Sequence, residues 1–370
     1  MTDHTTIDRS AEAKITDAQS AALSLANRSE STRNDALHAI ADAIEANADA
    51  ILDANADDVA AAETMLEAGE YTQAFVDRLK LSASKLGSIA EMVRSVAGQD
   101  DPLGRTLAAR ELDDDLELYR VSAPIGVLGA VFESRPDALV QIAALSLKSG
   151  NAVVLKGGSE ASHSNRILHR IIVEAAADAG ADIPEGWAQL IEAREDVQTL
   201  LERDDAVDLL MPRGSSSFVS YVQDNTSIPV LGHTEGVCHV YVDSDADLAM
   251  AEDVAYDAKV QYPAVCNAVE TLLVHESVAA EFLPDLADRY REAGVELRGD
   301  ERTREVVDVG VATDDDWTTE YGDLILAIGV VDSVTDAIDH INRHGSKHTE
   351  SIITEDDDAA ARFMHGIDAA

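Results

Sequence analysis

The chain has 370 residues, 46% of them hydrophobic, and 71 acidic against 28 basic side chains give a formal net charge of -43. That length can hold two domains with real cores, and the apolar content excludes a wholly disordered chain. So large an excess of carboxylates excludes nucleic acid as a ligand, and two cysteines exclude a disulfide scaffold.

The acidic excess recurs along the chain, at Asp113-Asp114-Asp115, Asp314-Asp315-Asp316 and Asp356-Asp357-Asp358, rather than sitting in one tail. We read it as adaptation to a salt-rich cytoplasm, where screening relieves self-repulsion. The start, Met1-Thr2-Asp3-His4, lacks the basic region and apolar core of a signal peptide. The longest apolar run, 324–331, is too short to span a bilayer. The expectation is a soluble cytoplasmic protein with no membrane partner.

In chain order, residues 6–96 read as helices, with Ala36-Leu37, Ile40, Ile44 and Ile51-Leu52 at helical spacing. A break at Gly98-Gln99-Asp100-Asp101-Pro102 precedes an alternating strand at 116–121 and a buried strand at 125–132. Apolar strands at 152–155, 188–191 and 207–211 then alternate with helices near 137–149, 161–179 and 196–203. Short continuous apolar strands separated by helices predict a parallel α/β sheet covered on both faces. Near Pro229 the chain passes into a second unit, with a strand at 237–242 and a helix at 248–259, and then reaches Cys266.

Four segments at predicted strand ends can carry chemistry. Arg135, in Glu133-Ser134-Arg135-Pro136, can face an anionic substrate, although surface pairing with a carboxylate is the commoner fate of a lone Arg. Lys156-Gly157-Gly158-Ser159 ends a strand where open α/β sheets bind nucleotides, yet GxGxxG is absent and the two glycines also suit a plain turn. Arg213-Gly214-Ser215-Ser216 offers amides and a cation at a helix start, and also reads as a simple cap. Cys266-Asn267 places a thiol in a loop after Pro263, where it can be presented to a carbonyl carbon. A small buried hydrophobe is the commoner fate of a lone cysteine. His233, His239, His344 and His348 lack zinc spacing with the cysteines, so no metal is expected.

Together these segments resemble the gamma-glutamyl phosphate reductase branch of the aldehyde dehydrogenase superfamily. The matching stretches are Pro124-Ile125-Gly126-Val127, Glu133-Ser134-Arg135-Pro136, Lys148-Ser149-Gly150-Asn151-Ala152-Val153, Pro212-Arg213-Gly214, Gly236-Val237-Cys238-His239 and Cys266-Asn267-Ala268-Val269-Glu270-Thr271. A branch signature adds Ala337-Ile338, His340-Ile341, His344-Gly345-Ser346, His348-Thr349-Glu350 and Ile352.

The resemblance implies an α/β, aldehyde dehydrogenase-like fold. A parallel-sheet cofactor domain would cover residues 1–230, with an oligomerisation β-hairpin at about 103–121. An α/β catalytic domain would cover 231–355, and 356–370 would return to the cofactor domain. It implies NADPH and L-glutamyl 5-phosphate as substrates, with Cys266 as nucleophile beside Asn267. Lys156, Gly157, Gly158 and Ser159 would meet the adenosine ribose, Gly214, Ser215 and Ser216 the pyrophosphate, and Glu320 the nicotinamide ribose. Arg135 and Arg213 are substrate candidates, and Cys238 reads as packing. The family also implies a homo-oligomer and channelling from glutamate 5-kinase, and it continues several dozen residues past Ala370, which predicts a poorly active, poorly assembled chain. Glu235 keeps an aldehyde-oxidising dehydrogenase in play, and the shortened end a non-catalytic relative. Glu160, if it faced inward, would repel a 2′-phosphate.

Overall fold

A computed structural model describes residues 9–180, 182–214, 216–232 and 235–369. The chain divides into two compact units, residues 1–232 and 233–370.

The first unit opens with helices α1 (Ala11–Leu25), α2 (Glu30–Ala46), α3 (Ala48–Glu67), α4 (Gln73–Leu79) and α5 (Ala83–Ala97). Ser10, Ser29, Thr72 and Ser82 start four of them by accepting a first-turn N–H. In α5, Leu86, Ile89, Ala90, Val93, Val96 and Ala97 fall on one buried stripe. A hairpin follows, β1 (Thr106–Asp113) against β2 (Leu116–Val121), antiparallel with Ala109 opposite Tyr119. Every residue of both strands is exposed, Leu107, Leu112, Leu116, Leu118 and Tyr119 included.

Strand and helix then alternate: β3 (Val127–Phe132), α6 (Pro136–Lys148), β4 (Ala152–Gly157), α7 (Ser162–Asp178), β5 (Ala188–Ile191), α8 (Arg194–Leu201), β6 (Leu209–Arg213) and α9 (Ser216–Asp224). The strands form one parallel sheet, ordered β5-β4-β3-β6. β3 and β4 are buried throughout, because α2, α5, α6 and α7 cover one face while α1, α8 and α9 cover the other. Two buried cations tie the helical N-terminal region to the end of α6. Arg33 holds Asp101 at 2.8 Å, and Lys148 Nζ donates to Asn34 at 2.9 Å and to the Ala97 carbonyl at 3.1 Å. The Lys148-Ser149-Gly150-Asn151 stretch is therefore a joint. Gly150 turns there with φ of 70°, and Leu103 and Pro124 pack where a Cβ would stand.

The second unit runs β7 (Cys238–Val242), α10 (Leu248–Val260), β8 (Val269–His275), α11 (Glu276–Glu292), β9 (Glu296–Gly299), α12 (Glu301–Val306), β10 (Gly310–Val311), β11 (Ile325–Val331), α13 (Val334–His344), β12 (Glu350–Ile353) and α14 (Asp357–Gly366). Its sheet is parallel throughout, ordered β10-β9-β11-β8-β7-β12. α10 and α11 pack on one face, α13 and α14 on the other.

One expectation needs correction here. Residues 356–370 were expected to return to the first domain, yet α14 packs in the second unit. Phe363 stacks on Tyr241 at 6.4 Å between ring centroids and joins Ile338 and Ile341 in a closed apolar cluster. The aromatic face of α14 has its complement there. No helix among the described residues is long and apolar enough to cross a membrane, and the 324–331 run is mostly buried strand β11.

Candidate active site

At the carboxyl edge of the first sheet, Phe132, Gly157 and Arg213 share one row across β3, β4 and β6. That register brings together three of the sequence segments: 133–135, 158–160 and 213–214. Lys156 is buried at 8% exposure, and its Nζ donates to the Gly157 carbonyl at 2.7 Å. Burial pulls its pKa down, while Glu160, Asp196, Glu133 and Glu192 pull it back up. Glu160 turns onto the next loop, where Oε1 accepts the Ser134 N–H at 2.6 Å. Ser134 holds φ of 52°, a left-handed backbone that this carboxylate braces. A Cβ on Gly158 would lie 2.0 Å from that carboxylate, and one on Gly157 would lie 2.1 Å from the Asn165 amide. At Gly157 the buried Asn165 amide and the Phe132 ring leave little room for a side chain, whereas at Gly158 it is the movable Glu160 carboxylate that stands in the way.

Beside them lies a cavity of about 220 Å³ lined by Gly158, Ser159, Ser162, Asn165 and Arg166. A second, of about 500 Å³, is lined by Glu133, Arg194, Gln198, Phe218 and Tyr221. The parallel strand ends, the cationic groups and the two cavities fit a dinucleotide. Gly214 abuts Glu133, whose Oε2 lies 2.7 Å from where a Cβ would stand. Arg135 is half-buried at the start of α6, and Arg213 is exposed. Ser215 lies outside the described residues, and Ser216 begins α9.

The second unit places Cys266 in the loop between α10 and β8, half-buried, with Asn267 exposed beside it. The two thiols differ sharply in setting. Cys238, on β7, is 2% exposed, and burial followed by the charge of Glu350 pushes its pKa up to about 12. Its Sγ donates to the Cys266 carbonyl at 3.2 Å and lies 3.7 Å from His348 Nδ1. Gly236 packs directly on that carbonyl, since a Cβ there would stand 2.1 Å from its oxygen. Each neighbour on this segment is held: Gly236 N–H by Glu320 at 2.9 Å, Val237 N–H by Ser346 at 2.9 Å, and His239 N–H by Glu350 at 2.8 Å. Sequence reading missed this ring of partners. The only signal was the branch signature, which contains Ser346, His348 and Glu350.

Behind the loop, Lys259 and Glu270 form a fully buried ion pair at 2.7 Å. Burial drives the Glu270 pKa up and the Lys259 pKa down, each opposed by its partner. The other Glu270 oxygen accepts the Gly322 N–H at 3.1 Å, steadying the turn that follows Glu320. Glu235 is exposed. Among the described residues, no grouping of His, Cys, Asp and Glu could hold a metal ion.

A half-exposed thiol beside a parallel-sheet unit, in a chain whose residues 4–325 match the aldehyde dehydrogenase family, settles the class: the chain belongs to that family. Within it the branch is that of the gamma-glutamyl phosphate reductases, and the chain is an oxidoreductase of that branch. It is 72% identical to the gamma-glutamyl phosphate reductase of Haloquadratum walsbyi, over 100% of this chain and 82% of the relative. With that of Natronomonas pharaonis it shares 73% identity, over 97% and 82% respectively. The crystal structure of the Thermotoga maritima gamma-glutamyl phosphate reductase superposes with a TM-score of 0.91 at 40% identity, covering 98% of this chain and 86% of that one.

Proposed function

We propose that the chain reduces L-glutamyl 5-phosphate to L-glutamate 5-semialdehyde and inorganic phosphate, with NADPH as reductant. The observation that carries the reading is the contrast between the thiols, Cys266 half-exposed in a loop and Cys238 buried and protonated. The Cys266 thiolate attacks the acyl carbon, the carbon–oxygen bond to phosphate breaks, and a thioester remains on Cys266. Two donors stabilise the tetrahedral oxyanion, the Cys266 N–H and the Asn267 side chain, each worth about 2.7–4 kcal/mol. NADPH, when bound, supplies a hydride to the thioester carbon. The carbon–sulfur bond then breaks, and Cys266 recovers its proton as the aldehyde leaves.

In this reading Lys156, Gly158 and Ser159 hold the cofactor's adenosine ribose, Gly214 with Ser215 and Ser216 its pyrophosphate, and Glu320 its nicotinamide ribose. NADPH rather than NADH follows from the family resemblance; Glu160 is turned onto the Ser134 N–H but its charge stays beside Gly158 and Lys156. Arg135 and Arg213 are the candidates for anionic groups of the substrate. The exposed hairpin, with its leucines, is the surface for self-association.

The test is the reverse reaction, oxidation of glutamate 5-semialdehyde with NADP or NAD, with and without phosphate. Phosphate-dependent reduction of NADP supports the reading. Phosphate-independent oxidation would instead make Glu235 the activator of a deacylating water, and no turnover at all would favour a non-catalytic relative.

A further inference from the structure

We propose that Cys238 is a positioning residue for Cys266, its thiol fixing the Cys266–Asn267 peptide by a hydrogen bond to the Cys266 carbonyl, with residues 346–350 holding it there. The proposal rests on the reading of Cys266 as nucleophile.

The carbonyl of Cys266 belongs to the same rigid peptide plane as the N–H of Asn267. Pinning that oxygen fixes the backbone on the carbonyl side of Cys266, and with it the direction in which the thiol and the Asn267 side chain leave the loop. Two contacts pin it: the Cys238 Sγ–H at 3.2 Å and the Cα of Gly236, where no side chain could fit. Both come from one short segment, 236–239, whose amides are clamped by Glu320, Ser346 and Glu350.

The loop that carries Ser346 and His348 is itself built for this. Lys347 between them takes φ of 63°, a left-handed conformation rare for a lysine, and its side chain pairs outward with Asp368. This kink lets Ser346 reach the Val237 N–H while His348 Nδ1 comes within 3.7 Å of the Cys238 sulfur. His239 then carries the clamp to β12, with Nδ1 2.9 Å from Glu350. Burial and the nearby carboxylate keep Cys238 protonated, so it remains a donor throughout the working pH range. Small displacements of a nucleophile cost rate steeply, up to about 100-fold per ångström.

Because the chain has only Cys238 and Cys266, alkylation by iodoacetamide reports on Cys266 alone in any Cys238 variant. Cys238→Ala removes the donor together with the volume of one sulfur, while Cys238→Ser keeps an O–H donor in nearly the same space. Alkylation of Cys266 should slow about 5- to 10-fold in Cys238→Ala, and kcat for semialdehyde oxidation should fall about as much with KM for NADP unchanged. Cys238→Ser should restore most of both rates. Wild-type alkylation is read by peptide mapping. If Cys238→Ala does not fold, Ser346→Ala, which frees Val237, should show the same loss to a smaller degree. Rates equal to wild type in Cys238→Ala or in its Ser346→Ala substitute overturn the proposal, as does Cys238→Ser as slow as Cys238→Ala with a native melting curve. The alkylation arm needs no turnover, so a chain inactive toward the semialdehyde sinks the functional reading and leaves this one standing or falling alone.

Discussion

A thiol acts as a nucleophile only where a substrate can reach it and where it can give up its proton; Cys238 is buried with its pKa pushed up, whereas Cys266 is half-exposed in a loop. Cys266→Ser should abolish semialdehyde oxidation, because a serine hydroxyl is a far weaker nucleophile than a thiolate. Nucleotide binding, measured by fluorescence titration with NADPH, should stay within about twofold. Retained turnover in Cys266→Ser would remove it from the reaction. A second residue-scale test concerns Lys259 and Glu270. Neither is solvated, so removing one partner strands the other's charge. Glu270→Leu should destabilise the protein by about 3–5 kcal/mol in urea unfolding, whereas Lys259→Met with Glu270→Leu together should recover much of that. A double variant as unstable as the single one would mean that the pair's other contacts, such as Gly322, carry the cost. The half-exposed loop setting of Cys266 was legible in the sequence from its Pro263 flank. The contacts of Cys238, Ser346 and Glu350 were not, because β7 meets residues more than a hundred positions away, and register across a sheet leaves no local trace.

Elements add a proton-linked term. His340, on α13, sits beside Trp317, His239 and His344, with ring centroids at 5.2, 5.7 and 4.6 Å. Burial first, then the neighbouring His239, His344 and Arg343 charges, push its pKa down to about 3. In the unfolded chain it would titrate near 6.5. Between those values the unfolded state binds a proton that the folded state refuses, so stability is present above pH 6.5 and drains as pH falls toward 3. The slope is at most about 1.4 kcal/mol per pH unit, reduced by whatever solvent reaches the ring. His340→Asn should flatten that slope in urea midpoints taken from pH 7 to pH 5. Parallel curves for variant and wild type would show that His340 titrates normally. Such elements were unevenly readable. β3 and β4 were plain, since a strand buried on both faces is a continuous apolar run. β10 spans two residues, too few to carry a period, and β9, Glu296-Leu297-Arg298-Gly299, has a single large apolar residue and so no apolar run to read, unlike the equally short β5. The placement of 356–370 in the first domain came from the resemblance alone, since nothing local in that stretch tells that Phe363 packs on Tyr241.

For the whole molecule the governing quantity is charge. The basic side chains are already shared among several carboxylates. Arg94 meets Asp42, Glu45 and Glu91, Arg289 meets Glu252 and Asp253, and Arg302 meets Glu276 and Asp332. Exposed pairs of this kind contribute little each, on the order of 0–1 kcal/mol. With 71 acidic against 28 basic side chains, carboxylates far outnumber the cations that could pair with them. Salt acts on both: it weakens the few attractive pairs and screens the many repulsive ones, and the second effect must win where the imbalance is this large. The screening length falls from about 30 Å at 0.01 M to about 3 Å at 1 M, from most of a domain's width to less than the spacing of surface side chains. The melting temperature should therefore climb with KCl over that range, and millimolar buffer should leave the chain partly unfolded or aggregated. Replacing the exposed Asp114 and Asp115 with asparagine should shift the curve toward lower salt. A melting temperature indifferent to KCl, in wild type and variant alike, would mean that apolar packing in the two cores, not repulsion at the surface, sets the stability of this protein.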